Sequence, residues 1–479
     1  MPTERHVVRV APGSFEPEDH YYPRVLNAQI HPLVRFFFGL SNDRIAARYC
    51  HLHPMVKIES VSAALSHRTK YFRWGGADLF HAASANGTRK MYVIETNSCP
   101  SGQKSTPRLE ELQEQGGYHR LLERAFVPML KRRGLPNGVL AVLYDKNLME
   151  ASGYAAALAD LTGEDVYLTP CFADDDPPRY RVDERRIIEI QTPEGEWTPV
   201  RAAFRYVTQA PWTRIPPLTR TLVFNPVLVC LAGGRNKLLA AKAYDVHNGN
   251  IEATRLRIEA PETIWDVGHR EVPLWVERMG GFAVIKNPYS NAGQGVWTIT
   301  SKAELDAFML LDQRYERFIV QQLIGNVGWS SRTRRGAIYH VGTVPNRKGE
   351  LHVADLRFMV GCGLDGFFPV ATYARRARQS LGVEPPADSW SVLGTNLSVK
   401  KADGSWDSQT ERLVLMDARD FNRLGVGLDD LIDAYVQTVL SVTAIDEMCQ
   451  RLVTTKGRFG RKLFSSLNPD DALVAEVVQ

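Results

Sequence analysis

FAVIKNPYSNAGQGVWTIT, residues 282–300, sets two apolar strands on either side of a loop rich in glycine and asparagine. Lys286 closes the first strand, and Gly293, Gln294 and Gly295 end the loop. Glycine lets backbone come close to a ligand, so a lysine beside a run of backbone N–H groups can wrap a polyphosphate. Asn291, in the same loop, counts among the candidate nucleotide contacts. Upstream, LAGGRNK (231–237) leads into a helix and delivers Lys237 at its start. Downstream, Ser301 with Glu304 three residues later reads as a capping-box helix start. FIVQQLI, 318–324, is an apolar strand. Its Gln321, Gln322 and Leu323 can read an adenine ring through backbone groups and one amide, with aliphatic side chains against the ring faces.

Further along, LHVADLRFMVG (351–361) is a strand on which alternation puts Asp355 and Arg357 on one face. An acceptor there can hold ribose hydroxyls, and a guanidinium the phosphates. YARRA (373–377) adds Arg375 and Arg376, cations suited to a transferring phosphoryl group. At the opposite end of the chain, MYVIETNSCPSGQKSTP (91–107) is a strand running into a proline/glycine turn. Glu95 and Asn97 are two apart and face one way, and two hard oxygen ligands on a rigid element suit Mg²⁺. GVLAVLYD, ASGYAAALADLTG and DVYLTP (138–170) then read as strand, helix, strand, a βαβ unit that implies a partly parallel sheet. The proline-rich APWTRIPPLTRT (210–221) reads as a connector. The fold class expected is α/β or α+β, with an N-terminal substrate domain over residues 1–220 and a nucleotide-binding domain with C-terminal helices over 221–479.

The order of a lysine-led helix, VIK–loop–GQGV, IVQQLI, DLRFMVG and YARRA resembles the nucleotide site of ATP-grasp enzymes over residues 222–425. The DLR and ARR segments are similar to those of the ribosomal-S6 glutamate ligase group. Ordinary members carry an E-x-N strand near the C-terminus, but the matching segment here is RLVLMDARDF, with Asp417 and Asp420. VIETN, GVLAVLYDKN, LAGGRNK and VIKNPYSNAGQG instead follow the order of the circularly permuted, eukaryotic-type glutathione synthetases, whose E-x-N strand comes early. The chain also resembles peptide ligases of antibiotic and secondary metabolism that carry a pre-ATP-grasp region.

That resemblance implies ATP and Mg²⁺ as cofactors and an acyl-phosphate captured by an amine. Arg357, Arg375 and Arg376 would neutralise developing charge, and Glu95 and Asn97 would hold the metal. The synthetases place an acidic metal ligand in the loop where this chain has Ser290 and Asn291, so Asp355 or Asp417 is the expected substitute. Lys104 and Arg205 are the candidates for holding a substrate carboxylate. A small-molecule kinase using the same site, or a degenerate nucleotide-binding protein, are the rival readings.

The balance of 58 basic against 54 acidic residues gives no reason to expect nucleic acid or an anionic membrane as partner. No apolar run of membrane-spanning length occurs and the N-terminus lacks a secretory h-region, so a cytoplasmic protein is expected. Six scattered cysteines fit reduced thiols. Cys99 reads as a small buried filler and His51/His53 as a structural pair. Partners expected are a small-molecule carboxylate and an amine (amino acid or peptide), with a homodimer left open.

Overall fold

The βαβ pattern over residues 138–170 forms as its periodicity predicts. Strands Val139–Tyr144 and Val166–Pro170 are parallel and joined by the helix Leu148–Thr162. Six of its nine buried residues are alanine or glycine, which lets the helix lie close to the sheet. Gly163 ends it in the left-handed conformation (φ 69°), its N–H donating to Ala159 O. The strand Trp197–Tyr206 extends the parallel core, and Leu222–Phe224 adds to it in parallel, within a seven-stranded mixed sheet. The structure is a computed structural model that describes residues 5–110, 112–290, 293–400 and 406–478, and its class is α+β.

A second, six-stranded antiparallel sheet draws strands from both sides of residue 220. Trp74–Ser84 pairs on one edge with Arg89–Ser98 and on the other with Ile338–His340 and His352–Gly363. Gly366–Ser380 and Leu413–Val414 follow. The 24-residue helix Leu428–Arg451 crosses its back. Asp446 on that helix is buried and accepts the backbone N–H groups of Lys70, Tyr71 and Phe72 at 3.0, 2.7 and 2.8 Å, which ties the approach to strand Trp74–Ser84 onto the helix.

The third sheet is four antiparallel strands in the order Thr263–Gly268, Arg317–Gln322, Ala283–Lys286, Val296–Ile299. Helices Val272–Arg278 and Lys302–Leu310 cover one face. Ala283, Ile285, Phe318 and Val320 pack there with Val276 and Phe308. With a period of two, Val284, Lys286 and Gln321 are left on the other face. Ser301 caps its helix as expected, accepting Glu304 N–H at 3.2 Å, while the Glu304 carboxylate reaches back to Thr300 N–H at 2.7 Å.

Candidate active site

That other face of the four-stranded sheet and one face of the six-stranded sheet enclose a cavity of about 580 Å³, with turns of the seven-stranded sheet at its far end. Strand register writes its floor. Glu95, Asp78, Arg357 and Tyr373 are consecutive cross-strand neighbours, and Phe80, Asp355 and Arg375 form the next row. Arg357 grips Asp78 with two parallel bonds of 2.6 and 2.7 Å. Arg375 holds Asp355 through both oxygens and reaches Asp78 at 3.0 Å. Burial would push the Asp78 carboxyl up, but the two guanidinium groups outweigh it and hold it well below the usual carboxylate range. In return burial pulls Arg357 down and Asp78 more than restores it, so this pair stays charged.

Lys237 and Lys286 meet over the floor beside Glu95. Lys237 Nζ donates to Ser290 O and Oγ at 3.0 and 3.1 Å and lies 3.5 Å from a Glu95 oxygen. Lys286 Nζ donates to Ile94 O at 3.3 Å. Burial, with Lys237 nearby, lowers the Lys286 ammonium to about 8 against the opposing pull of Glu95 and Asp78. Gly293 and Gln294 line the cavity. A Cβ on Gly293 (φ 77°) would fall 2.2 Å from Asn396 Nδ2, so only glycine fits the loop there. Gly295 lies off the cavity and accepts Asn287 N–H at 2.8 Å, closing the loop. Asn291 lies outside the described residues.

Gln321, Gln322 and Leu323 line the cavity, and a donor of each is already engaged. Gln321 Nε2 donates to Thr263 Oγ1 at 2.8 Å and Gln322 Nε2 to Gly336 O at 2.9 Å. Leu323 N–H donates to Ser331 Oγ at 2.7 Å. Beside them stands a group the sequence reading missed, His340, edge-on to the Phe80 ring at 4.6 Å. Burial lowers its imidazole to about 3, so it is neutral.

Glu95 and Asn97 line the cavity together, and the buried Asn97 Nδ2 has no partner among the described residues. Asp417, the expected substitute ligand, accepts Arg419 and Asp420 N–H groups at 3.2 and 2.7 Å as a turn residue and does not line the cavity. Asp355 is taken by Arg375. The carboxylate beside Glu95 is Asp78, across the strand pair. Among the described residues no group of three or more His, Cys, Asp or Glu is placed to share a metal ion. Glu95 and Asn97 still fit Mg²⁺, an ion usually held by one or two protein oxygens with waters and phosphates.

Two other expectations are corrected. Arg376 follows Arg375 on one strand and so faces the opposite side, where it lies 3.4 Å from His352 Nε2. Arg205 is 0% exposed behind the parallel strands, donating to Asn225 O, Val207 O and Cys230 Sγ, and does not line the cavity. Lys104 does line it, 3.4 Å from Asn147 Oδ1 and 4.9 Å from the Tyr22 ring centre. Cys99 is buried, its thiol pushed up by burial and donating to Arg205 O at 2.9 Å, so it is no nucleophile. His53 stacks on Tyr49 away from the site. A second cavity of about 350 Å³ adjoins the first across Glu95, Lys237 and Lys286.

No family model and no curated protein sequence matches the chain. Solved structures that resemble it are those of ATP-grasp enzymes. A RimK domain ATP-grasp protein from Sphaerobacter thermophilus is 17% identical, covering 49% of this chain and 90% of its own, with a TM-score of 0.29. A glutathione synthetase-like effector from Globodera pallida, in its apo form, is 10% identical over 73% of this chain and 86% of its own, with a TM-score of 0.40. D-alanyl-alanine synthetase A from Vibrio cholerae is 8% identical over 54% and 93%, with a TM-score of 0.28. No helix among the described residues is long and apolar enough to cross a membrane.

Proposed function

We propose that the chain is an ATP-dependent ligase that joins a small-molecule carboxylate to an amine, with the order of elements of a permuted ATP-grasp enzyme. One observation carries the reading. Residues as far apart as Glu95, Lys237, Lys286, Arg357 and Arg375 converge on one cavity, with two lysines and a glycine loop facing paired arginines. Lys237, Lys286 and the backbone beside Gly293 hold the ATP phosphates. Glu95 and Asn97 would hold Mg²⁺, which would supply charge neutralisation at the phosphates. Arg357 and Arg375, locked by Asp78 and Asp355, present fixed positive charge where the carboxylate oxygen attacks the γ-phosphorus, so little reorganisation accompanies the step. ADP leaves as the acyl-phosphate forms. The amine nitrogen of an amino acid or peptide then attacks its carbonyl carbon, the carbon–oxygen bond to phosphate breaks, and inorganic phosphate departs as the nitrogen gives up a proton to form the amide. Residues 1–220 supply substrate contacts, Lys104 among them.

The test is incubation with ATP, Mg²⁺ and pooled carboxylates and amino acids, with products followed by mass spectrometry. An amide product formed with release of ADP and phosphate supports the reading. A stable phosphorylated product, or bound ATP without turnover across the panel, overturns it.

A further inference from the structure

The far end of the cavity is charged in a way that the nucleotide does not explain. Among the described residues, seven lysine and arginine side chains line the cavity against three carboxylates, Asp78, Glu95 and Asp355. Magnesium-bound ATP brings a net charge of about −2, which leaves about two positive charges over. The surplus is localised. Lys104, Lys146 and Arg235 line the end next to the seven-stranded sheet, and no carboxylate of a described residue lies within ion-pair distance of any of them. Lys146 Nζ and an Arg235 N–H converge on one acceptor, Cys99 O, each at 3.4 Å. The Arg235 Nε is buried without a partner among the described residues.

The two acids that could neutralise this end are turned away from it. Asp145 accepts Thr208 N–H, Gln209 N–H and Arg214 at 2.7, 2.6 and 2.9 Å. Glu150 accepts Ser101 Oγ–H, Gly102 N–H, Gln103 N–H and Tyr206 O–H at 2.7, 2.8, 2.8 and 3.0 Å. Like charges held together without a counter-ion are costly unless a ligand supplies one. The compartment is continuous with the reacting end, since an Arg357 N–H and the Tyr373 hydroxyl both reach Ser101 O, at 3.5 and 3.1 Å.

From this arrangement we infer that the carboxylate substrate carries a second anionic group, carboxylate or phosphate, and that Lys104, Lys146 and Arg235 form the subsite that holds it. The inference rests on the ligase reading and names its substrate class: a dianion, activated at Arg357 and anchored at Lys146. Its signature is a proton. Burial and the facing Arg235 and Arg357 lower the Lys146 ammonium to about 7, with Asp145 and Cys99 pulling the other way and the Tyr206 ring 5.1 Å away. An anion seated beside it raises it again.

The test is isothermal titration calorimetry on the full chain. Mg·ADP is titrated first, then glutarate, 3-phosphonopropionate and butyrate. One or both dianions are expected to bind at least ~10-fold tighter than butyrate, and the tighter of the two identifies the group as carboxylate or phosphate. Lys146→Gln is expected to erase that advantage and Lys146→Arg to retain it. With wild type and glutarate, whose two carboxylates stay ionised over this range, heats at pH 8 in buffers of different ionisation enthalpy should report uptake approaching about one proton per glutarate bound, falling toward zero at pH 6 and absent in Lys146→Arg. Equal binding of butyrate and both dianions by a chain that binds Mg·ADP, an advantage that survives Lys146→Gln, or binding without proton uptake overturns the subsite and leaves the ligase reading standing. A chain that does not bind Mg·ADP overturns both.

Discussion

The two ends of the cavity are both cationic, yet they are built on opposite rules. On the floor at the end proposed to hold the nucleotide, Arg357 and Arg375 are locked to Asp78 and Asp355, and Lys237 lies near Glu95. At the end proposed to hold the substrate, Lys104, Lys146 and Arg235 share carbonyl and amide acceptors and meet no acid among the described residues. A buried guanidinium that must keep one position through every turnover needs a permanent partner. A cation that waits for a ligand does better without one, because a built-in carboxylate would have to be displaced at each binding event. On the proposed reading, paired charges mark the fixed part of the site and unpaired charges the part that would receive substrate.

The largest expected effect tests the paired end. Asp78→Ala strips Arg357 and Arg375 of a shared carboxylate and should destabilise the chain by about 3–5 kcal/mol in urea unfolding. A loss within the range of ordinary surface substitutions would break the contrast. Next, Lys286→Ala should lower kcat/KM for ATP by about 100- to 1000-fold, the usual consequence of removing a preorganised charge from a transferring group. Glu95→Gln should raise the Mg²⁺ concentration needed for half-maximal turnover by about 10-fold or more while leaving the fold intact. Full activity at unchanged Mg²⁺ demand would remove the permuted order from consideration.

Lys286 also sets a pH limb. Its ammonium must be charged to meet the phosphates, and in the free chain it is lowered to about 8. kcat/KM for ATP should therefore fall by about tenfold per pH unit above 8, whereas kcat, which reports the nucleotide complex, should hold to higher pH because the phosphates raise the lysine again. Lys286→Arg should move the limb out of range. The smallest effect is expected of Arg376→Ala, on the far face of its strand: activity within about twofold and stability within about 0.5 kcal/mol. A large loss of activity would mean that the Arg375/Arg376 distinction is wrong.

Much of this was open to reading from local pattern. The βαβ unit and the strand around Lys286 follow from short-range periodicity, which depends on neighbours in the chain. Asp355 and Arg357 share a face for the same reason, and so do Glu95 and Asn97. Alternation alone separates Arg375 from Arg376, and weighing both as cavity residues overlooked it. Asp78 was among the groups missed. It lies in WGGADLF, a segment whose partner strand follows a short turn at residues 84–89, and registering the two strands would have set it opposite Glu95. Lys146 and Arg235 lie inside two of the quoted segments, GVLAVLYDKN and LAGGRNK, but nothing local showed that their side chains reach the cavity, and nothing local pointed to His340.

What the sequence by itself determined is the set of strands and helices, the glycine loop, and which residues of one strand lie on one face. Tertiary structure alone decided which of those faces meet. It buried Arg205 behind the parallel strands although its sequence setting resembles that of a substrate cation. It also turned Asp145 and Glu150 onto backbone N–H groups, and so left the cations at one end of the cavity without a counter-charge among the described residues. The reason is that side-chain periodicity is a property of a dozen consecutive residues. The partner of a charge, or its absence, depends on strands and turns brought together from positions hundreds of residues apart.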